Sequence, residues 1–194
     1  MHFTLADLIT DITKNGADAD ARLIELKVSE TVDSSGKGKF RFTVKDNGKG
    51  MTADELKLAQ DPFVTGGKHP HRKVGLGLPF LIQTAEQSGG GWEMESEKRP
   101  AAQDAECPFT TKVSAWFDLG NVDTPPTGDI PGMFRTVLLF DGPAEMVIRR
   151  NREAPQGRID YELRKTELAQ ALGGLEDAQS LILLDKYLRS LEEI

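Results

Sequence analysis

The sequence has a single cysteine, three histidines and no long apolar run, and each scarcity removes a class of function. Cys107 has no partner for an intramolecular disulfide, and there is no CxxC or Cys/His cluster, so zinc and dithiol chemistry lack ligands and a reducing compartment fits best. Nowhere do about eighteen apolar residues run together, and Met1-His2-Phe3-Thr4-Leu5 has no basic region followed by an apolar core. The expectation is a cytoplasmic protein with no membrane partner. Basic residues number 24 against 31 acidic ones, and the net charge of -7 argues against a general role on nucleic acid or an anionic surface. No internal repeat or low-complexity tract is visible. What remains is 194 residues, 38% hydrophobic, enough for one domain with a proper core or one domain with a small appendage.

Leu5, Leu8, Ile9 and Ile12 recur at helical spacing after Thr4, a natural N-cap, which predicts an amphipathic helix ending near Asn15-Gly16. Leu23 to Val28 and Phe40 to Val44 alternate as strands around the turn residues Ser34-Ser35-Gly36-Lys37-Gly38, so a hairpin leads into Asp46. Met51 to Gln60 reads as a short helix, Asp61 to Lys73 as a loop with Gly, Pro and basic residues, and Leu76 to Ser88 as a further helix stopped by Gly89-Gly90-Gly91. Trp92 to Glu97 and Thr110 to Leu119 read as paired strands, separated by a polar loop. After Leu119, Asp123-Thr124-Pro125-Pro126-Thr127-Gly128-Asp129 looks like a break between residues 1–120 and a C-terminal extension, 121–194. In that extension Thr136 to Phe140 and Glu145 to Arg149 read as strands turning at Asp141-Gly142. The tail from Asp160 reads as two helices parted by Gly173-Gly174, with the extension packed on the first domain.

Three constellations can carry chemistry. Asp11 and Asn15 sit four residues apart on the first helix, stacking a carboxylate over a carboxamide. An amide oxygen suits magnesium, and a carboxylate beside it can deprotonate a nucleophile. Asp46-Asn47-Gly48-Lys49-Gly50-Met51 closes a strand with a carboxylate next to a glycine turn, an acceptor for the exocyclic amine of adenine. Val74-Gly75-Leu76-Gly77-Leu78 enters a helix behind a cationic stretch holding Lys68, Arg72 and Lys73, where backbone N–H groups and positive charge suit phosphate. Each alone has a plain structural reading: two solvated polar groups, a hairpin turn, a compact loop before a helix.

Their order and spacing together resemble the GHKL superfamily of gyrase, heat-shock chaperone, histidine kinase and mismatch-repair ATPases. Asp11 to Asn15 is similar to its N-box, Asp46 to Gly50 to its DxGxG box and Val74 to Leu78 to its GxGL box. Thr111-Lys112-Val113-Ser114-Ala115-Trp116-Phe117 resembles the closing strand, which carries a threonine near the base. The resemblance covers about residues 4 to 119. It implies an α+β fold of the Bergerat type, a two-layer sandwich with a mixed sheet covered by helices on one face, here with a C-terminal strand and helix extension. ATP and magnesium are the implied cofactors. Asn15 would hold the metal. Asp46 would meet adenine, with Gly48, Gly50 and Met51 shaping the pocket and Thr111 helping through water. Val74, Gly75, Leu76, Gly77 and Leu78 would line the phosphate side, with Lys68, Arg72 and Lys73 as phosphate contacts and Asp61 to Val74 as a lid. Asp61 to Thr65, Lys73 to Phe80 and the 123–129 break further resemble small stand-alone ATP-binding proteins, some encoded beside NADH-linked iron hydrogenase subunits.

Two departures bear on activity. ATP-hydrolysing relatives commonly have Glu where this chain has Asp11, one methylene shorter, so its role as activating base is a hypothesis. The three residues before Thr4 in this sequence do not make the helical hairpin that carries a phosphorylated histidine in sensor kinases, so self-contained histidine kinase activity is not expected. The expectation is a magnesium-dependent ATP-binding protein, an ATPase or nucleotide-controlled switch acting on a partner protein. The alternatives are a kinase acting on a separate protein and a non-catalytic nucleotide-binding scaffold. Leu181, Leu184, Leu188 and Leu191 form a stripe expected to pack internally, with homodimerisation as the alternative.

Overall fold

The computed structural model describes residues 4–61, 77–100 and 106–193. Helix α1 (Leu5–Asp18) starts where expected, because the Thr4 side chain accepts the Asp7 N–H while the Asp7 carboxylate accepts the Thr4 N–H. Leu5, Leu8, Ile9 and Ile12 are buried along one face. The helix runs through Gly16 instead of ending there. This glycine is a packing residue, not a stop signal, since an added Cβ would meet Asp46 and Ile24 at 3.0 and 3.1 Å.

Strands β1 (Leu23–Val32) and β2 (Gly38–Asp46) form the expected antiparallel hairpin. Next come α2 (Ala53–Gln60), α3 (Gly77–Gln87), β3 (Gly91–Ser96) and β4 (Thr111–Asp118). The remainder is α4 (Ile130–Leu138), β5 (Glu145–Ala154), β6 (Gly157–Arg164), α5 (Lys165–Leu172) and α6 (Ala178–Leu191). The six strands form one mixed sheet in the order β3-β4-β2-β1-β5-β6, with β1 and β5 parallel and the other neighbours antiparallel.

Alternation along the strands turns Leu26, Val28, Phe40, Phe42, Val44, Val113, Ala115, Phe117, Met146 and Ile148 toward the helices. The opposite face carries Lys27, Arg41, Lys45, Lys112 and Arg149, so it faces water. This is the α+β sandwich with helices on one face that the motifs imply.

After residue 120 the sequence reading errs in two places, while the strand from Glu145 and the two helices around Gly173-Gly174 are where expected. Residues 136–140 are not a strand, since Ile130, Met133, Phe134, Val137 and Leu138 follow helical spacing and are all buried in α4. Asp129 caps that helix by accepting the Gly132 N–H, and Pro131 suits its first turn. The hairpin is β5–β6, so residues 160–164 belong to a strand and not to the first C-terminal helix.

The C-terminal elements are continuous with the rest: β5 joins the sheet beside β1, and α4 packs against both α1 and α6. The first turn of α1 is also tied down, as the Leu5 and Ala6 N–H groups donate to the Pro126 and Thr127 carbonyls. Leu184 and Leu188 of the leucine stripe are wholly buried, with Leu191 partly buried beside them. At the far end of β1, the buried Arg150 guanidinium pairs with Glu30 at 2.7 Å and Glu192 at 3.1 Å, and the Tyr161 hydroxyl donates to Glu192. Among the described residues, no helix is long and apolar enough to cross a membrane.

Candidate functional site

The end of β2 is where the sequence concentrates its polar signals, and the structure gathers four elements there. Asp46 is the last residue of β2 and only 6% exposed. Its Oδ1 accepts the Gly48 N–H at 3.0 Å, and its Oδ2 makes no hydrogen bond within the described residues. Burial pushes its carboxyl up to about 6, with the Gly48 hydrogen bond acting in the opposite direction. The Oδ2 can therefore accept a hydrogen bond from a group outside the described residues.

The loop after Asp46 is held by backbone and by hydroxyls. Asn47 is fully enclosed, its Oδ1 accepting the Arg22 and Leu23 N–H groups, which fixes the start of β1. Gly48 lies so close to the turn after α1 that an added Cβ would be 2.6 Å from the Ala19 carbonyl oxygen. Gly50 has φ +59°, and a Cβ there would be 2.0 Å from the Glu97 oxygen, so both conformation and space demand glycine. The Lys49 N–H donates to Ala19 O, and Lys49 O accepts from Arg99 N.

Two hydroxyl residues that the motif reading missed complete this frame. Thr110, buried just before β4, donates from Oγ1 to Gly48 O at 2.7 Å, and its N–H donates to Asp46 O at 2.8 Å. Ser96, the last residue of β3, accepts the Met51 N–H at 2.9 Å and stands 3.0 Å from Thr111 Oγ1. Neither lies in a recognisable motif. Only strand pairing, which sets Asp46 opposite Thr111 and Thr111 opposite Ser96, brings them to the loop.

Helix α1 supplies the neighbouring wall. Asp11 and Asn15 are both exposed, one turn apart, and Asn15 directly precedes the Gly16 that abuts Asp46. Asp11 lies against the start of α3: a Cβ on Gly77 would be 3.4 Å from the Asp11 Cβ. Partial burial and then the charge of Asp7 hold the Asp11 carboxyl above its ordinary value. Thus the first helix, the β2 end and the start of α3 converge as the motif order implies. Leu78 joins the core, while Gly77 begins α3. Lys68, Arg72, Lys73, Val74, Gly75 and Leu76 lie outside the described residues.

This convergence agrees with a direct sequence match. The family described as "Histidine kinase-, DNA gyrase B-, and HSP90-like ATPase" matches residues 3–121. The chain belongs to this family. Its GHKL fold is a nucleotide-binding one, and the match covers α1, the Asp46 loop and β4, the elements that meet at the site. Among solved structures, an "N terminal domain of a DNA repair protein" aligns at 14% identity and a TM-score of 0.47, covering 92% of this chain and 58% of that one. The "Aquifex aeolicus MutL ATPase domain complexed with ADP" aligns at 11% identity and a TM-score of 0.35, covering 96% of this chain and 70% of that one. No curated protein matches the sequence.

Proposed function

We propose that this GHKL protein binds ATP with magnesium at the junction of α1, the β2 end and the start of α3, and uses it as an ATPase or nucleotide-controlled switch acting on a partner protein. The observation that carries the reading is Asp46. Its carboxylate is buried, one oxygen is fixed by Gly48, and the other, which makes no hydrogen bond within the described residues, would accept the exocyclic amine of adenine. Thr111, its register partner on the same face, adds a hydroxyl beside it.

Magnesium fits the donors present. Asn15 offers an exposed amide oxygen and Asp11 a carboxylate on the same side of α1. That sparse set suits a cation that keeps most of its oxygen ligands from water and phosphate. When bound there, the metal would neutralise charge on the phosphate tail. Asp11, its proton affinity raised by partial burial, would accept the proton of the attacking water. Its position against the first residue of α3 puts that base beside a helix N-terminus, where phosphate oxygens are favoured.

Calorimetric titration of magnesium-ATP into wild type and Asp46→Asn tests the binding: saturable binding lost in the variant is expected, and no binding by wild type overturns the reading. Turnover is separated by following labelled ATP with and without candidate partner proteins. Phosphate release that falls at least a hundredfold in Asp11→Asn, with ATP affinity retained, is the expected result. Label retained on a second protein would instead identify a kinase, and binding without release a non-catalytic scaffold.

A further inference from the structure

The sheet face turned away from the helices is cationic along its middle, although the chain as a whole has a net charge of -7. Strand β2 turns Lys39, Arg41, Thr43 and Lys45 outward there, and β1 sets Lys27 opposite Thr43 and Ser29 opposite Arg41. Within the described residues Lys27, Lys39 and Lys45 make no ion pair. Arg41 reaches only Glu93, at 3.9 Å and with both side chains more than half exposed. A pair so long and so wet contributes little, which leaves Arg41 available to another anion. The next carboxylate along β1, Glu25, is engaged by Arg149 at 3.2 Å.

Lys27, Ser29, Arg41 and Thr43 line a hollow of about 260 Å³ that has no carboxylate in its wall. It exists because short hydroxyl side chains lie between long cationic ones. The Arg41 guanidinium sits over the Trp116 ring, 5.4 Å from its centroid, so its planar fork is already held. Thr43 is steadied by the buried Ser114, 2.9 Å away between hydroxyl oxygens. Cations on one diagonal and hydroxyls on the other suit a compact oxyanion with several oxygens. A phosphate monoester, with three terminal oxygens and about two negative charges, can use all four groups. A nucleic-acid strand carries its charge onward, and on the β3 side it would run over Glu93 and Glu95. In the row of Ser29 and Arg41, Asn151 stands on one side and Trp116 on the other. A peptide crossing the strands therefore meets an amide and an indole flanking the hollow.

We infer that this hollow binds a phosphorylated side chain of a partner protein, with Lys27 and Arg41 neutralising the phosphate and Ser29 and Thr43 offering hydroxyls to its oxygens. The inference stands on the open face alone. It does not depend on the ATP reading, to which it adds a means of holding the partner.

The test follows backbone amide NMR shifts of the full chain at one ionic strength. The probes are a blocked tripeptide with phosphoserine between two glycines, its unphosphorylated twin, inorganic phosphate and octathymidylate. The phosphopeptide should give saturable shifts at Lys27, Ser29, Arg41 and Thr43, and the unphosphorylated twin none. Lys27→Gln and Arg41→Gln should each weaken phosphopeptide binding by about tenfold, the scale of one charge-assisted hydrogen bond, with magnesium-ATP affinity unchanged. Absence of saturable shifts at these residues, or binding that survives both substitutions, overturns the inference. Inorganic phosphate binding as tightly as the phosphopeptide would mean a free-anion site, and tighter octathymidylate binding a nucleic-acid surface; either overturns it too. If ATP binds and the phosphopeptide does not, this inference falls alone. If the phosphopeptide binds and ATP does not, only the ATP reading falls.

Discussion

Gly16 touches Asp46 so closely that a Cβ added to the glycine would stand 3.0 Å from the Cβ of the aspartate. The helix bearing Asp11 and Asn15 is thereby seated directly on the residue proposed to read the base. Gly16→Ala gains about 1 kcal/mol of helix propensity but meets overpacking of about 1–3 kcal/mol at this contact. We expect a net loss of stability of about 1 kcal/mol by urea unfolding. ATP affinity should weaken by about tenfold or more by calorimetry, because the methyl group displaces the carboxylate. Unchanged affinity would show that the contact does not set the pocket.

Asp46 ties stability, and with it the proposed base contact, to pH. Its folded-state value of about 6 lies above the ordinary 3.8, so the folded chain holds this proton more tightly than the unfolded chain. The group's contribution to stability is therefore full below the unfolded value, falls as pH rises and is gone above about 6, a change of about 3 kcal/mol. Asp46→Asn keeps an oxygen for the Gly48 N–H and carries no charge. It should be about 1–3 kcal/mol more stable than wild type at pH 8, with the difference shrinking toward pH 5. Wild-type ATP affinity should decline as pH falls through about 6, where the acceptor becomes protonated. Urea unfolding and titrations across that range check both.

Thr110 bonds the Gly48 carbonyl from a position that is nearly sealed from water. Thr110→Val preserves the shape and leaves that carbonyl without its donor. The expected cost is about 1–2 kcal/mol in urea unfolding. Weaker ATP binding should accompany it, with normal secondary structure by circular dichroism. An unaffected affinity would mean that the backbone bonds of Thr110 suffice to hold the loop.

Arg150 is a control at the other end of the sheet. Its buried guanidinium pairs with Glu30 and Glu192 together, so Arg150→Ala leaves Glu192 with the Tyr161 hydroxyl and Glu30 with Arg152 at 3.7 Å, and should cost about 3–5 kcal/mol. Glu30 lies roughly 20 Å along β1 from Ile24, the register partner of Asp46, at about 3.3 Å per residue. The variant should therefore keep ATP affinity within about twofold under conditions where it remains folded. A large change in affinity would reveal coupling along β1.

Much of the site was legible because its parts are local. Thr4 before a helical apolar repeat, alternation into Asp46 and glycines after it are patterns within a few residues, and the structure places α1, β2 and the Asp46 loop accordingly. The misreading of residues 136–140 has a local cause too. Thr136, Val137, Leu138, Leu139 and Phe140 suit a strand by residue type, but the helical spacing from Ile130 and the Asp129 cap prevail. Ser96 and Thr110 were invisible because their partners lie far off in sequence: Met51 for one, Asp46 and Gly48 for the other.

The sequence by itself determined which residues carry the chemistry proposed for a nucleotide site and in what order, since backbone freedom at glycine, carboxylate and amide chemistry and helical spacing are properties of short segments. Tertiary structure alone decided that Asp46 is buried with one oxygen making no hydrogen bond within the described residues, that Gly16 presses α1 against it and that Ser96 and Thr111 share its row. Those relations come from strand register and helix packing, which bring together residues that no local pattern connects.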